Sequence, residues 1–343
     1  MDKKNVTFGD IAAYTNFSKT TISRYFNRPE SLTPENREKI RQALADLNYQ
    51  ENKVARFLAS GRTEFIGVIL PNIYMRYFGE ILRSILSTYE QYGYKFLVYI
   101  GDDQADVERR YVQELLSYQV EGLIVLSYTI SSGELAALPI PVVAIEREDK
   151  YLDSVNTDNY MGAIQATSLL AKHNCDIFIH INSPVSPDIP AHERIRAFQD
   201  FCIEHSLPNQ IYLREMGSTH TSVSACMRQI FEEIESRYAS IRKGIFISSD
   251  TLANEYLNLV IRKYKELPET CRIVGFDDSP SSQEAIYSIS TVGQQIDRIA
   301  AEAVQLLINR IEQKKNGAEG PAEPVHKVIT PILIRRETTE LWG

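Results

Sequence analysis

Strand-like apolar runs alternate with amphipathic helical segments along the chain from Glu64 to about Gln313. A predicted strand at Phe65–Leu70 is followed by a helix at Tyr77–Tyr92 and a second strand at Lys95–Ile100. Alternation of this kind predicts parallel sheets covered by helices on both faces. Because more than eight such repeats exceed one compact sheet, we expect two α/β lobes. A small-molecule site is then expected in the cleft between them, at the carboxyl ends of the strands.

The first 50 residues have a different pattern, which predicts three short helices. The first covers Phe8–Tyr14, and the second begins after Ser18, a residue type favoured as an N-cap, and runs to about Asn27. Thr33 and Pro34 mark the start of a third helix. Its apolar residues recur at helical spacing at Ile40, Leu44 and Leu47. Two short helices joined by a tight turn and backed by a third form a helix-turn-helix.

A short apolar segment, Asn52 to Ser60, joins the two parts. Nucleating a helix costs more than so few residues return, so we expect this segment to order only against a partner. The predicted organisation is therefore an all-α helix-turn-helix domain at 1–50, a connecting segment at 51–62 and an α/β domain at 63–343. Within the α/β domain, the first lobe is placed at about 63–160 and 293–320, and the second at about 161–292 and 321–343.

The net charge of −8 is unevenly distributed, since residues 1–60 carry +3 and the remainder carries −11. The helix-turn-helix part is thus the basic one, which weakly indicates contact with nucleic acid. The chain begins without the apolar stretch of a secretory signal, and its longest apolar runs are shorter than a membrane span. These features favour a cytoplasmic protein with no membrane contact. The four cysteines lack metal-like spacing and are expected to be reduced thiols.

Residues at fixed spacings in both parts carry a specific resemblance to a known family. In the N-terminal part they are Val6–Ala12, Ser18–Arg24, Asn27, Thr33, Arg37, Leu47–Tyr49, Asn52, Ala55 and Leu58. In the α/β part they are Gly67–Asn72, Asp158–Gly162, Arg194–Phe198, Ser249–Asp250, Val274–Asp278 and Ser290–Gln294. These motifs resemble the LacI/GalR family of bacterial, sugar-responsive transcriptional regulators. The resemblance implies a sensor similar to periplasmic sugar-binding proteins, with two lobes joined by three connections, and a homodimer.

The resemblance also implies that the first domain binds double-stranded operator DNA. Lys19 and Thr20 begin the second helix, the recognition helix, and Arg24 lies one turn beyond them. All three are predicted to read base edges in the major groove. Residues better placed for phosphates, which fix the register without reading sequence, are Thr7, Ser18, Thr21, Ser23, Asn27 and Arg37. On spacing alone, a solvated helix face explains these polar residues equally well.

The connecting segment resembles the family's hinge helix. Asn52, Ala55 and Leu58 are predicted to contact the minor groove, with Leu58 as an apolar wedge that kinks the duplex. The alternative is an ordinary linker that contains a leucine. Glu51 stands where family members usually have proline, which places a negative charge near the phosphates and puts the stiffness of the hinge in doubt.

In the cleft, the resemblance identifies residues that bind a small-molecule effector. Arg194 and Asp277 combine a donor with an acceptor, which suits adjacent hydroxyl groups. Tyr77 and Phe78 follow the first strand, where they either stack on a ligand ring or belong to the core. The remaining predicted contacts are Arg147, Asp250 and Gln294. Asp250 and Gln294 can instead cap a helix or support a crossover.

The sequence has no motif for nucleotide-dependent catalysis or hydrolysis, and its six histidines lack metal-ligand spacing. We therefore expect a regulator that is not an enzyme, without metal or cofactor. The favoured function is a repressor of carbohydrate-utilisation genes whose effector is a sugar or sugar phosphate. The alternatives are a corepressor-dependent regulator that senses a nucleobase or another metabolite, and a sugar-binding protein that does not bind DNA. Effector binding is expected to change the angle between the lobes and the ordering of paired hinges.

Overall fold

The computed structural model of the chain describes residues 6–50, 62–317 and 323–340. Contacts within it divide the chain into two units, Met1–Arg62 and Thr63–Gly343, and each unit is described by itself. The predicted hinge contacts Asn52, Ala55 and Leu58 lie outside the described residues, as does Glu51. None of the described helices is long and apolar enough to cross a lipid bilayer.

The first unit contains the three α-helices that the sequence predicts. They are Phe8–Thr15, Lys19–Asn27 and Pro34–Asp46, with a short 3₁₀ helix at Pro29–Ser31. The helices begin where Thr7, Ser18 and Thr33 each accept a backbone N–H from the third helical residue. Such caps satisfy donors that the first turn of a helix leaves unpaired, so the local sequence sets where each helix begins.

Three isoleucines, one from each helix, form the centre of the first unit. Ile11, Ile22 and Ile40 are fully buried against one another. Burying an isoleucine side chain contributes roughly 1.5–3 kcal/mol. Beside them the rings of Phe8 and Phe26 stack with centroids 5.1 Å apart. This core fixes the recognition helix, Lys19–Asn27, against the other two helices and leaves its polar face in solvent.

The second unit contains two six-stranded sheets, which confirms the expectation of two lobes. The first sheet is parallel throughout. Its strands, from one edge to the other, are His326–Ile329, Asp153–Thr157, Val142–Ile145, Gly122–Val125, Phe65–Leu70 and Lys95–Ile100. The helices of this lobe are Arg76–Ser87, Tyr89–Tyr92, Ala105–Ser117, Ser132–Ala136 and Ile296–Lys315.

The second sheet is parallel except for one antiparallel edge strand. Its strands, beginning at that edge, are Ile332–Ile334, Ser290–Gly293, Cys271–Asp277, Lys243–Ile247, Ile177–Asn182 and Asn209–Leu213. Its helices are Asn159–Ala171, Glu193–Glu204, His220–Tyr238, Asp250–Tyr264, Pro280–Glu284 and Glu337–Glu340, with a 3₁₀ helix at Pro190–His192. Separate buried clusters pack on the two faces of each sheet, which places helices on both sides as expected.

Three connections join the lobes, as the resemblance implies. The chain crosses after Asp153–Thr157, after Ser290–Gly293 and between His326–Ile329 and Ile332–Ile334. The assignment of all of 321–343 to the second lobe is wrong by one strand, because His326–Ile329 pairs with Asp153–Thr157 in the first lobe. The last crossing falls at 330–331, where Pro331 has no N–H to continue the ladder.

The helix predicted at Tyr77–Tyr92 is two helices, Arg76–Ser87 and Tyr89–Tyr92. The break lies at Thr88, whose hydroxyl donates to the carbonyl of Ile85 at 2.6 Å. A hydroxyl that bonds back to the preceding turn competes with the helical ladder, which explains the break.

Candidate recognition surface and candidate ligand cavity

The three residues predicted to read bases lie on the exposed face of the recognition helix. Lys19 and Thr20 form its first turn and Arg24 follows one turn later, and all three are exposed. The Lys19 side chain lies over Gly9, where a Cβ would come within 3.3 Å of Lys19 Cε. The glycine thus gives the lysine stem a surface to lie on, while its ammonium group stays in solvent.

The residues predicted to contact phosphates differ in whether their hydroxyl hydrogens are already used in hydrogen bonds within the protein. Thr7 donates both its backbone N–H, at 2.8 Å, and its hydroxyl, at 2.7 Å, to the Asp10 carboxylate. Its hydroxyl hydrogen therefore reaches a phosphate only if the bond to Asp10 breaks. The hydroxyls of Ser18 and Thr21 lie 2.9 Å apart, so one donates to the other and the pair keeps one hydrogen for a partner.

The other predicted phosphate residues are distributed over two helices. Ser23 is half-buried in the recognition helix, and Asn27 is its last residue. Arg37 lies exposed near the start of the third helix, Pro34–Asp46. Contacts of all these residues with DNA stay predictions.

A cavity of about 200 Å³ lies between the lobes at the carboxyl ends of their strands, and we call it the effector cavity. Its lining includes five of the seven predicted effector residues: Tyr77, Phe78, Arg194, Asp277 and Gln294. The side chains that the sequence reasoning did not select are Met75, Leu126, Tyr128, Ile145, Glu146, Asn182, Ser183, Ala191, Ser248, Ser249 and Leu252. The lining is therefore apolar on several sides, with polar groups from both lobes.

Arg194 is the cationic residue among the described residues that line the effector cavity. Its Nε donates to Asn159 Oδ1 and one of its Nη atoms donates to the Ser248 carbonyl, each at 2.7 Å. The guanidinium lies 3.7 Å from the ring centroid of Phe276. These contacts hold the group flat and in one orientation, which leaves its remaining N–H donors for a ligand.

Asp277 provides the matching acceptor. Its Oδ1 accepts from Gln294 Nε2 at 2.6 Å, and Gln294 Oε1 in turn accepts from the Thr157 hydroxyl at 2.6 Å. Burial raises the pKa of Asp277 to about 7, although nearby Arg194 and the bond from Gln294 oppose that rise. The residue has a φ of 115°, a backbone conformation that side chains other than glycine rarely adopt. The carboxyl is thus held at the cavity wall at a conformational cost.

Two predicted effector residues lie outside the cavity lining. Asp250 is fully buried behind the wall, where its carboxylate accepts from the Ser279 N–H at 2.7 Å and the Thr291 hydroxyl at 2.6 Å. Burial raises its pKa, with the Asp277 charge second. These bonds fix the segment that follows Asp277. Asp250 therefore has a supporting role, which is the alternative to ligand contact that the sequence leaves open.

Arg147 also points away from the effector cavity. One of its Nη atoms donates to the Ile130 carbonyl at 2.9 Å and to the Ser132 hydroxyl at 3.3 Å. Its guanidinium lies 5.6 Å from the Tyr128 ring centroid, so that Arg147 supports a cavity residue without lining the cavity.

Glu146, which directly precedes Arg147, lines the cavity instead. Its carboxylate accepts from the Thr157 N–H at 2.6 Å and from Asn159 Nδ2 at 2.8 Å, and its φ is 58°. Tyr128 donates its hydroxyl to the Glu146 carbonyl at 2.8 Å. Its position in the sequence is the signal that could identify it, because Glu146 is the first polar residue after the strand Val142–Ile145.

Asn182 is a second lining residue that the sequence reasoning missed. It ends the strand Ile177–Asn182, and its Nδ2 lies 3.3 Å from His180 Nε2. Burial lowers the pKa of His180 to about 3, so the ring is neutral at neutral pH. His180 therefore donates through Nδ1 to the Phe246 carbonyl at 3.0 Å and accepts from Asn182, which fixes the amide orientation.

The two units define a class of protein. One chain carries a helix-turn-helix with an exposed polar recognition face and a two-lobed α/β unit with a ligand-sized cavity between its lobes. Residues 7–52 match the family model described as bacterial regulatory proteins of the lacI family. Residues 63–225 match the model of periplasmic binding proteins and the sugar-binding domain of the LacI family, and residues 167–339 match a periplasmic binding protein-like domain.

Individual proteins match over nearly the whole length. The ribose operon repressor of Halalkalibacterium halodurans is 30% identical over 336 residues, with 97% of each chain covered. The crystal structure of the lac repressor dimer bound to operator and an anti-inducer covers 98% of this chain and 99% of its own, with a TM-score of 0.80 and 22% identity. A protein described as a periplasmic binding protein/LacI transcriptional regulator, from Alkaliphilus metalliredigens and complexed with D-xylulofuranose, is 26% identical with a TM-score of 0.69. The match covers 80% of this chain and 98% of its own. The chain belongs to the LacI family of bacterial regulatory proteins.

Proposed function

We propose that the protein is a DNA-binding repressor of carbohydrate-utilisation genes whose operator affinity is controlled by a neutral monosaccharide. The observation that carries this proposal is the meeting of Arg194 and Asp277 on one cavity between two lobes, in a chain that also carries an exposed recognition helix. The protein acts in the cytoplasm, where operator DNA lies.

The chemistry of the effector cavity favours a neutral polyol. Arg194 supplies donors, Asp277 and Glu146 supply acceptors, and Phe78 and Tyr77 supply apolar ring faces. The Tyr77 hydroxyl is buried without a hydrogen-bond partner among the described residues, which leaves it for a ligand. A sugar offers adjacent hydroxyls that both donate and accept, so it satisfies all of these groups at once.

The size and charge of the cavity narrow the sugar further. About 200 Å³ suits a single sugar ring and is small for a disaccharide. Among the described lining residues one arginine faces two carboxyl groups, so a phosphate dianion would gain little attraction. Two of the similar proteins bear pentose names, since one is a ribose operon repressor and another is a structure complexed with D-xylulofuranose, whereas others are sucrose operon repressors.

On DNA, two copies of the chain place two recognition helices on a near-palindromic operator. Lys19, Thr20 and Arg24 contact base edges, and the hinge segment with Leu58 enters the minor groove. The sugar changes the angle between the lobes and so the ordering of the paired hinges, which releases the operator. By linkage, operator DNA weakens sugar binding by the same factor.

The test is a gel-shift titration of the full-length protein on DNA from upstream of its own gene, with and without a panel of monosaccharides, disaccharides and sugar phosphates. We expect Arg24→Ala to weaken specific binding by about 1–3 kcal/mol and to relax specificity at one base. Arg41→Ala is the matched control, because Arg41 is an exposed arginine of the same unit that pairs with Glu38 on the third helix. Specific binding that is indifferent to Lys19, Thr20 and Arg24 substitution would exclude this reading of the operator.

A further inference from the structure

The second lobe contributes an asparagine to the effector cavity that the proposed function leaves without a role. Asn182 ends the strand Ile177–Asn182, lines the cavity and is 5% exposed. Its amide has two different ends, an oxygen that accepts hydrogen bonds and an NH₂ group that donates them. The end that faces the cavity therefore decides which ligand groups Asn182 can bind.

His180, two residues earlier on the same strand, determines the orientation of this amide. Its buried ring stacks on Phe198 and Phe246, with centroids 5.3 and 4.5 Å away. The Phe246 carbonyl, which can only accept, lies 3.0 Å from His180 Nδ1, so Nδ1 carries the proton. Burial lowers the pKa of His180 to about 3, and nearby Arg194 acts in the same direction. The ring is therefore neutral at neutral pH, and its Nε2 is an acceptor.

An acceptor at this point leaves one favourable orientation for the amide. Asn182 Nδ2 lies 3.3 Å from His180 Nε2 and donates to it. The opposite orientation would place two acceptors against each other in a buried site, which costs about 1–3 kcal/mol. Side chains two residues apart on a strand lie on the same face, so Nδ2 points back along the strand. Oδ1 then points towards the carboxyl end of the strand, where the cavity lies.

The Asn182 Oδ1 atom is available to a ligand. It has no hydrogen-bond partner among the described residues, and it is not one of their oxygens that are closed to solvent without a partner. Since Asn182 lines the effector cavity, this is the space that Oδ1 faces. The cavity wall therefore presents an acceptor at this point, whereas the donors of the same amide are directed into the protein core.

We propose that Asn182 is a specificity-determining residue of the effector cavity and that His180 is the residue that positions it. Asn182 Oδ1 accepts a hydrogen bond from one hydroxyl group of the sugar. A deoxy analogue leaves this oxygen without a donor, and a ligand with only an acceptor at that position is repelled. The inference rests on the proposed function, because it names a group by which the same cavity recognises its sugar.

The experiment is isothermal titration of the full-length protein with D-ribose and D-xylulose, and with the monodeoxy derivatives of the sugar that binds more tightly. Asn182→Ala should weaken binding of the intact sugar about tenfold, because one hydrogen bond is lost. One deoxy sugar, the one without the hydroxyl that Asn182 binds, should bind the unsubstituted protein about tenfold more weakly than the intact sugar. In the N182A protein the same deletion should cost less than about twofold. Asn209→Ala is the matched control, because Asn209 is an exposed asparagine that begins the neighbouring strand, and it should leave binding unchanged.

His180→Phe tests the positioning role. Phenylalanine keeps a stacked ring but has no acceptor, so the amide is no longer held in one orientation. The substitution should weaken sugar binding severalfold in the unsubstituted protein and have no further effect in the N182A protein. A merely structural role of the ring would instead weaken binding in both proteins, and that result overturns the assignment of His180.

The remaining outcomes separate this inference from the proposed function. If neither sugar binds the unsubstituted protein, the proposed function and this inference are both overturned. If a sugar binds and N182A binds it equally well, this inference alone is overturned. The same conclusion follows if every deoxy sugar loses as much affinity in N182A as in the unsubstituted protein.

Discussion

Replacing Asp277 with asparagine is expected to stabilise the unliganded protein above neutral pH and to weaken sugar binding. The substitution keeps the shape of the side chain. In the unsubstituted protein Gln294 Nε2 donates to Asp277 Oδ1 at 2.6 Å, and the amide oxygen of asparagine can accept the same hydrogen bond. It removes a charge that is fully buried and whose pKa is raised to about 7 by that burial. It also removes the carboxylate acceptor that a sugar hydroxyl would use.

The size of the effect follows from the linkage between the pKa and folding. The pKa of Asp277 is about 7 in the folded protein, against about 3.9 in an unfolded chain, and the difference is worth about 4 kcal/mol. A raised carboxyl pKa means that the folded state binds the proton more tightly. The corresponding stability is present in full below about pH 4 and is lost as the pH rises through about 7. The D277N protein has no such loss, so its free energy of unfolding should exceed that of the unsubstituted protein by a few kcal/mol at about pH 8.

The assay is urea unfolding of both proteins, followed by circular dichroism, at intervals from about pH 5 to about pH 8. Asp278→Asn is the matched control, because this neighbour forms an ion pair with Arg336 at 2.6 Å and is partly exposed. Its substitution should lower stability by about 1 kcal/mol, with little dependence on pH between about 5 and 8, because the pair is partly open to solvent, which screens its attraction. Equal stability of D277N and the unsubstituted protein at every pH would refute the reasoning, and so would a loss of stability at about pH 8.

Three further predictions concern the same two units. Sugar affinity should fall as the pH drops below about 7, by up to about tenfold per pH unit, because the ionised form of Asp277 accepts the ligand hydroxyl. Calorimetry at several pH values measures this dependence, and an affinity that does not change with pH would contradict it. Arg194→Lys should weaken sugar binding about tenfold or more, because one ammonium group cannot replace the planar, fixed guanidinium. Arg196→Lys, at an exposed position on the same helix, should leave sugar binding unchanged, and equal effects of the two substitutions would count against the role of Arg194. Ser18→Ala should lower the stability of the helix-turn-helix by about 1 kcal/mol through loss of the N-cap, measured by hydrogen exchange in its helices, and unchanged exchange would show that the cap contributes nothing.

The elements that local sequence predicts well are those whose signals lie within a few residues. The strand Phe65–Leu70 is a continuous apolar run and is observed at its predicted bounds. The recognition helix begins after Ser18 as predicted, because the cap and its N–H partner are three residues apart. No partner distant in sequence is needed to define either element.

The strand Asp153–Thr157 has no such signal, because its sequence is mostly polar. Its five residues are nevertheless buried. Arg310 donates two hydrogen bonds to Asp153, at 2.6 and 2.7 Å, and Ser154 lies 2.9 Å from His326 Nδ1. These partners are more than 150 residues away along the chain. Hydrophobic periodicity predicts a loop for such a polar segment, because the side chains that pair with its polar groups lie far outside the short stretch of sequence that is considered.

The candidate site shows the same limit. A family motif locates Arg194 and Asp277, and both line the effector cavity. The motif does not distinguish the residue that faces the cavity from its neighbour, so it points to Arg147, whereas Glu146 lines the cavity. The left-handed φ of 58° at Glu146 sets which side chain turns inward, and a single sequence does not reveal it.

A chain of hydrogen bonds links the polar lining of the effector cavity to two of the three connections between the lobes. Asp277 accepts from Gln294, and Gln294 accepts from Thr157. Thr157 ends the last strand before the first connection, and Gln294 follows the last strand before the second. A hydroxyl that donates to Asp277 competes with the bond from Gln294, and the change reaches the backbone where it passes from one lobe to the other. In the proposed mechanism, the pair of connections is the element that the effector biases, and Asp277 is the acceptor through which it acts.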